Sequence, residues 1–330
     1  MMMQTVHPND LRSLRTFRRN LLNWYRPHQR PLPWRKTIDP YRVWISEVML
    51  QQTRVNAVLE HYQQFLKTFP TVRHLARAGE AKVLSVWSGL GYYRRARMLH
   101  RAAKVLVADR SGHIPETSAE LRTLPGIGRY TANAIASIAF GESAAVVDGN
   151  VERVLARLLR STVSGERVWS TAQALLDPES PGDFNQAMME LGATICVPGV
   201  PLCEVCPISK QCGSRGRQKD KASIPEKRVQ RTSSVLVVKR RGSILLQRRA
   251  PNERLMPGMW ELPAARQDIS GEPLLRVKHS ITTSDWRVSV FSGTKTETAD
   301  GARWVPLTRV SQLPLTGLSR KILRKLELLS

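Results

Sequence analysis

The sequence is short of cysteine, of acidic residues and of long apolar runs, and each shortage excludes something. Only four cysteines occur in 330 residues, and all lie between positions 196 and 212. A secreted disulfide scaffold spreads its cysteines along the chain, so that class is excluded and a reducing compartment is expected. Nowhere do 18 apolar residues follow one another, so no transmembrane helix is expected. No internal repeat at solenoid periods is present either. Acidic residues number 27 against 51 Lys plus Arg, which leaves a net charge of +24. An excess of that size points to a polyanionic partner, most often nucleic acid, and carries no information about fold. What the chain does have is an ordinary 42% share of hydrophobic residues and length enough for two domains.

Residues 12–35 carry seven Arg and no acid, a pattern shared with transit peptides. They lack a small-residue cleavage site and run unbroken into Leu32-Pro33-Trp34-Arg35, so they read as a basic helix of the fold. From about residue 10 to 212 the apolar period is helical, as in Val55, Val58, Leu59, Tyr62, Phe65 and Leu66. Residues 213–231 lose that period, carry seven Lys or Arg against two acids, and read as a basic interdomain linker. Beyond them the period changes to two. Ser233–Lys239 and Ser243–Gln247 read as a hairpin around Arg241-Gly242, and Trp286–Phe291 alternates like a strand. The closing segment reads as an amphipathic helix with Leu318, Ile322, Leu326 and Leu329 on one face and Thr316 as N-cap. The expected architecture is a helical domain over 1–212, the linker over 213–231, and a smaller α/β domain over 232–330.

Three motifs can carry chemistry. Cys196, Cys203, Cys206 and Cys212 follow the pattern Cys-x6-Cys-x2-Cys-x5-Cys. Four thiolates this close can wrap one metal centre, and both zinc and a [4Fe–4S] cluster use such a set. With all four positions filled by protein, either centre would serve structure, because a catalytic metal keeps a position open. The second motif, Leu124-Pro125-Gly126-Ile127-Gly128-Arg129-Tyr130-Thr131, precedes the helical run Ala132–Phe140. Two glycines in a tight turn before a helix let backbone N–H groups approach an anion, here a DNA phosphate. An ordinary helix–turn–helix connection would look the same. The third is a pair of carboxylates. Glu47 lies within Val43-Trp44-Ile45-Ser46-Glu47-Val48-Met49-Leu50, where desolvation by large apolar neighbours would raise its pKa unless it faces solvent. Asp148, in Val146-Val147-Asp148-Gly149-Asn150-Val151, precedes a basic helix; viewed alone, Asp148 and Asn150 read as helix capping.

Together these motifs resemble the helix–hairpin–helix DNA glycosylase superfamily, and within it the MutY-type adenine DNA glycosylases, which remove adenine mispaired with 8-oxoguanine. The likeness covers nearly the whole chain. It rests on Leu32-Pro33-Trp34-Arg35, Trp44-Ile45-Ser46-Glu47-Val48-Met49-Leu50-Gln51-Gln52-Thr53, Gly89-Leu90-Gly91-Tyr92-Tyr93, Val147-Asp148-Gly149-Asn150-Val151 and the cysteine cluster. It implies a multidomain fold: an all-α helix–hairpin–helix glycosylase domain with a [4Fe–4S] loop at 196–212, and a small α/β NUDIX-like domain that recognises the lesion.

The resemblance also implies roles. Glu47 would protonate the leaving base, and Asp148 would face the developing sugar cation or act as a transient nucleophile, with Tyr130 and Asn150 orienting the pair. Arg35, Leu50, Gln52, Thr53, Leu90, Tyr92, Gly126 and Gly128 match positions that touch DNA or the lesion pair. Tyr130 stands where bifunctional relatives keep a Schiff-base Lys, which implies hydrolysis without strand cleavage. Around Gly258-Met259-Trp260-Glu261-Leu262-Pro263 the chain resembles a NUDIX domain, yet the acidic metal-binding helix is missing between Ala264 and Leu275. Nucleotide hydrolysis is therefore not expected there, and recognition of 8-oxoguanine is. The loop that reads the lesion is Phe-Ser-His in the better-known pattern and Ile281-Thr282-Thr283 here, so Thr282 keeps a hydroxyl for that task. The implied partner is duplex DNA with A·8-oxoguanine or A·G mispairs, bound by a monomer in the cytoplasm of a bacterial cell with no membrane involved. Two alternatives stay open. An endonuclease III-like or G·T thymine glycosylase is disfavoured by the extra C-terminal domain, and the lyase further by the missing Lys. A non-catalytic iron–sulfur DNA-binding protein is disfavoured by Glu47 together with Asp148.

Overall fold

The computed structural model describes residues 11–161, 164–215, 228–265, 269, 271–281, 283–294 and 302–329. Its helical part runs through α1 (Leu11–His28), α2 (Pro40–Leu50), α3 (Val55–Thr68), α4 (Val72–Arg77), α5 (Glu80–Trp87) and α6 (Tyr93–Arg110). It continues through α7 (Ser118–Leu121), α8 (Arg129–Phe140), α9 (Gly149–Leu159), α10 (Glu166–Leu175) and α11 (Pro181–Thr194). Strands follow: β1 (Val229–Val237), β2 (Lys239–Arg240), β3 (Ser243–Arg248), β4 (Trp260–Glu261), β5 (Leu275–Ile281), β6 (Ser284–Ser292) and β7 (Ala302–Pro306). Two helices, α12 (Leu307–Val310) and α13 (Gly317–Lys325), close the described chain. None of the described helices is long and apolar enough to cross a membrane.

Local sequence explains where the helices that matter begin. Asp39 opens α2: its Oδ1 accepts the backbone N–H of Tyr41 at 2.8 Å and of Arg42 at 3.2 Å, with Pro40 at the first position. Eight of the eleven residues of α2 are buried, so it is a core helix and not a surface one with a single apolar stripe. Helix α2 packs on α8, and α8 packs on α11. Phe17, Leu21 and Tyr25 of α1 meet Val151, Leu155 and Leu158 of α9 and Phe184, Met188 and Leu191 of α11 in one core. The Arg-rich segment expected as a helix is therefore α1, anchored by its apolar face, and the 3-10 turn Pro33–Arg35 follows it.

The chain divides into two compact units. One comprises Met1–Tyr62, Thr71–Arg73 and Arg101–Ser223; the other comprises Gln63–Pro70, His74–His100 and Ile224–Ser330. Helical residues 74–100 thus group with C-terminal chain, a division that periodicity cannot reveal because it is set by tertiary contacts. One boundary needs correcting. The segment read as linker to residue 231 already contains the start of β1 at Val229, because its exposed polar residues pair in parallel with β6. In the second unit β1, β6 and β5 form one sheet in that order, with β5 antiparallel to β6. A second sheet holds β2, β3 and β4, with β7 also paired to β3. Arg240 and Ser243 pair across the Arg241-Gly242 turn, as the hairpin pattern requires. Val277, Val288 and Val290 share an inner face with Ile322 and Leu323 of α13. Thr316 caps α13 through the Ser319 N–H, and the helix stops at Lys325, so Leu326 and Leu329 reach the same core from beyond its last turn.

Candidate active site

The fold of the first unit brings Glu47, Tyr130, Asp148 and Asn150 to one place. Glu47 comes from the middle of α2 and is only 6% exposed. Among the described residues its Oε2 has no hydrogen-bond partner. Burial raises the Glu47 carboxyl to about 7; the Tyr130 hydrogen bond and Arg35 pull it down, and the charge of Asp148 pushes it up. Tyr130, in the first turn of α8, is within hydrogen-bond reach of Glu47, and its hydroxyl lies 3.4 Å from the Met189 Sδ of α11. Asp148 is the N-cap of α9. Its Oδ1 accepts the backbone N–H groups of Asn150 (2.9 Å) and Val151 (2.8 Å), and its Oδ2 accepts the Asn150 side-chain amide at 2.9 Å. The capping and the chemical readings of Asp148 are compatible, because capping fixes one oxygen and orients the other.

Sequence reasoning missed the residues behind this pair. Arg153 donates to Asn150 Oδ1 at 2.9 Å, to the Gly192 carbonyl at 2.7 Å and to the Cys196 carbonyl at 2.9 Å. Arg157 donates to Cys196 Sγ at 3.4 Å and to the carbonyls of Val197 and Gly199. Asn150, Arg153 and Arg157 stand at i, i+3 and i+7 on one face of α9, a signal that was present in the sequence. Gly192 had no such signal. A Cβ there would lie 2.7 Å from Asn150 Cβ and 3.1 Å from the Asn150 backbone, so only glycine lets α11 approach α9 this closely. Gly192→Ala should push Asn150, and Asp148 with it, out of position. Displacements near 1 Å reduce rates by about a hundredfold, so whatever rate the Asp148 site supports should fall by up to that factor with folding retained. Single-turnover rates and circular dichroism of the variant check this.

The four cysteines are free thiols that line one cavity, together with Val154, Leu158, Leu191, Ile195 and Ile208. Among the described residues no three metal-ligating side chains converge as ligands of a single ion would. Four cysteine side chains around one cavity, with Arg157 donating to one of them, supply the donor set that a four-thiolate metal centre needs.

The expected DNA-contacting residues separate into groups. Gln52 is exposed with φ +55, Thr53 and Leu50 are partly buried in the same turn after α2, and Gln51 ties that turn to α8 through Thr131 at 3.0 Å. Gly126 and Gly128 lie in the turn before α8, both exposed; Gly128 is the N-cap of α8, and no side chain caps it. Tyr92 is 50% exposed with φ +46. Two of these residues are held within the protein. Arg35 does not face solvent: its guanidinium bonds Glu190 at 2.7 Å, and Glu190, fully buried, also takes Arg30 at 2.7 Å. Burial alone would raise the Glu190 carboxyl, but the Arg30 and Arg35 hydrogen bonds hold it at about 2. A buried carboxylate needs that pairing, and it claims Arg35. Leu90 is buried as well, at 5% exposure. Thr282 lies outside the described residues.

Comparison with known proteins bears on these observations. Residues 45–178 match the family described as HhH-GPD superfamily base excision DNA repair protein, and residues 234–325 match the NUDIX domain. Adenine DNA glycosylase of Rattus norvegicus is 39% identical over 326 residues, covering 80% of this chain and 63% of the relative. The chain carries an HhH-GPD match followed by a NUDIX match, and it is similar to curated adenine DNA glycosylases. The Homo sapiens adenine DNA glycosylase is 47% identical over 223 residues, or 63% of this chain and 41% of the relative. The chain thus spans less than two thirds of the length of these curated relatives. Among solved structures, a thermostable thymine-DNA glycosylase aligns with TM-score 0.58 and 29% identity over 62% of this chain and 97% of its own. A trapped endonuclease III–DNA intermediate shares the fold, with TM-score 0.56 and 24% identity over 64% of this chain and 99% of its own. The HhH-GPD match contains Glu47, Tyr130, Asp148 and Asn150 and stops short of the cysteines.

Proposed function

We propose that this chain is a monofunctional DNA glycosylase of base excision repair that hydrolyses the N-glycosidic bond of adenine mispaired with 8-oxoguanine or guanine. The observation that carries the reading is the buried Glu47, its carboxyl near neutrality, with the Tyr130 hydroxyl and the charge of the capped Asp148 carboxylate both acting on it. Adenine leaves poorly as an anion, and its sugar gains positive charge as the bond breaks. Glu47 delivers a proton to the base, and the oriented Asp148 oxygen faces the sugar cation. Tyr130 has no amine, so it forms no Schiff base and the product is an abasic site. The anion site at Gly126 and Gly128 holds a phosphate of duplex DNA, while Gln52, Thr53 and Tyr92 enter around the mispair. Cys196, Cys203, Cys206 and Cys212 hold a [4Fe–4S] cluster, which when bound crosslinks the loop after α11. The NUDIX-like domain reads 8-oxoguanine, with Thr282 as its hydroxyl.

The test is base release from duplexes carrying A·8-oxoguanine, A·G, G·T or an oxidised pyrimidine, with borohydride trapping alongside. Adenine release from the first two, no trapped complex, and iron with labile sulfide in the protein are the expected results. The likeness to a thymine-DNA glycosylase favours one second reading, and thymine release from G·T would establish it in place of ours. Thr282→Ala should shrink the preference for A·8-oxoguanine over A·G by about tenfold or less, since one hydrogen bond contributes about 0.5–1.5 kcal/mol. An unchanged preference would place lesion reading elsewhere.

A further inference from the structure

Two residues bracket the loop after α5, Ser88 before it and Tyr93 after it, and within the second unit both side chains donate to one acceptor. The Leu315 carbonyl lies 2.8 Å from Ser88 Oγ and 3.1 Å from the Tyr93 hydroxyl. Arg320 Nε in turn donates to Ser88 Oγ at 2.8 Å. Ser88, Tyr93 and Leu315 are all buried. The acceptor is itself held firmly. Trp260 donates its N–H to the Pro314 carbonyl and accepts the Thr316 N–H, each at 2.8 Å, on either side of Leu315. Thr316 also caps α13, the helix that carries Arg320.

The loop between these feet is costly to hold. Gly89 (φ +117), Gly91 (φ +69) and Tyr92 (φ +46) all have positive φ. Two of them are glycines, but Tyr92 carries a side chain, and such a residue keeps that conformation only where its surroundings over-determine it. Bonds within the loop shape its crown: Trp87 Nε1 donates to the Gly91 carbonyl at 3.1 Å and Arg95 to the Leu90 carbonyl at 3.3 Å. The shared Leu315 carbonyl sets the separation of its two feet.

We propose that Ser88, Tyr93 and Arg320 are positioning residues, whose latch on the Leu315 carbonyl holds the 89–92 loop in the conformation that presents Tyr92 to duplex DNA. The proposal rests on the reading of Tyr92 as a residue that enters the duplex. It gives the chain around Leu315 and Arg320 a part in DNA engagement separate from any contact with the lesion.

The test uses the full chain, with Ser88→Ala/Tyr93→Phe as the latch variant. Hydrogen exchange in peptides spanning 87–95 should quicken, and affinity for an A·8-oxoguanine duplex should fall, each by about tenfold for two lost buried hydrogen bonds. Should the double variant fail to fold, Tyr93→Phe alone carries the test with an expected effect of about threefold. On a Tyr92→Ala background the latch substitutions should cost no further affinity, because the latch acts through Tyr92. Fully additive losses there would overturn the proposal, since they are what general destabilisation produces. Native exchange at 87–95 in a folded latch variant would overturn it too. Native affinity of Tyr92→Ala alone would instead remove the reading of Tyr92, and that failure is seen in a protein whose latch is intact.

Discussion

Glu47→Gln should lower single-turnover adenine release by about 10²–10⁴-fold, the range over which a positioned proton donor acts, while duplex binding persists. The amide keeps the shape of the side chain within α2, and it can still accept from Tyr130. It cannot deliver a proton. The pH profile gives a second and more specific readout. Burial holds the Glu47 carboxyl at about 7, so the protonated acid predominates below that pH and is lost above it. Adenine release by the native protein should therefore be level at lower pH and decline as pH rises through about 7. In the Gln variant that decline should disappear from whatever slow release remains. A native rate in the variant, or the same decline in both proteins, would remove Glu47 from proton delivery.

The carboxylate pair was legible because its two positions carry local signals of different kinds. An acid among Trp44, Ile45, Val48 and Met49 announces its burial, since a core helix such as α2 offers no polar face. Asp148 announces itself as a cap, and capping is what aims it. The pairing of Arg35 was not legible, for the opposite reason. Its partner Glu190 stands 155 residues away, and no local pattern states that a basic residue in a basic segment will be claimed by a buried carboxylate. The burial of Leu90 was not legible either, because it is set by tertiary packing and not by its neighbours in sequence. The start of β1 was hidden by Gln230, Arg231 and Thr232, which are polar and exposed and gain strand structure only from parallel pairing with β6. Gly192 illustrates a further limit: glycine at a helix–helix contact is visible only once both backbones are placed.

Asp148→Asn should be mild in stability and severe in chemistry, and the contrast between the two is the informative result. Asn and Asp cap helices about equally well, so the bonds from the Asn150 and Val151 N–H groups to Oδ1 should survive, and the helix cap contributes nothing to any fall in the thermal midpoint. The second oxygen is where the variant fails. Oδ2 now accepts the side-chain amide of Asn150, and the amide nitrogen that replaces it would present a donor to that donor. Relief by flipping Asn150 is blocked, because its own oxygen accepts from Arg153 at 2.9 Å, and Arg153 is bound in turn to the Gly192 and Cys196 carbonyls. The charge is lost as well, so nothing in that position balances the cation on the sugar. Preorganised electrostatic stabilisation of this kind is commonly worth about 10²–10³ in rate, and a loss of at least that size is expected in single-turnover release. Duplex binding should persist, which separates this outcome from unfolding. A variant that folds and releases adenine at a native rate would show that the sugar cation is balanced elsewhere, and Asp148 would then be a helix cap and nothing more.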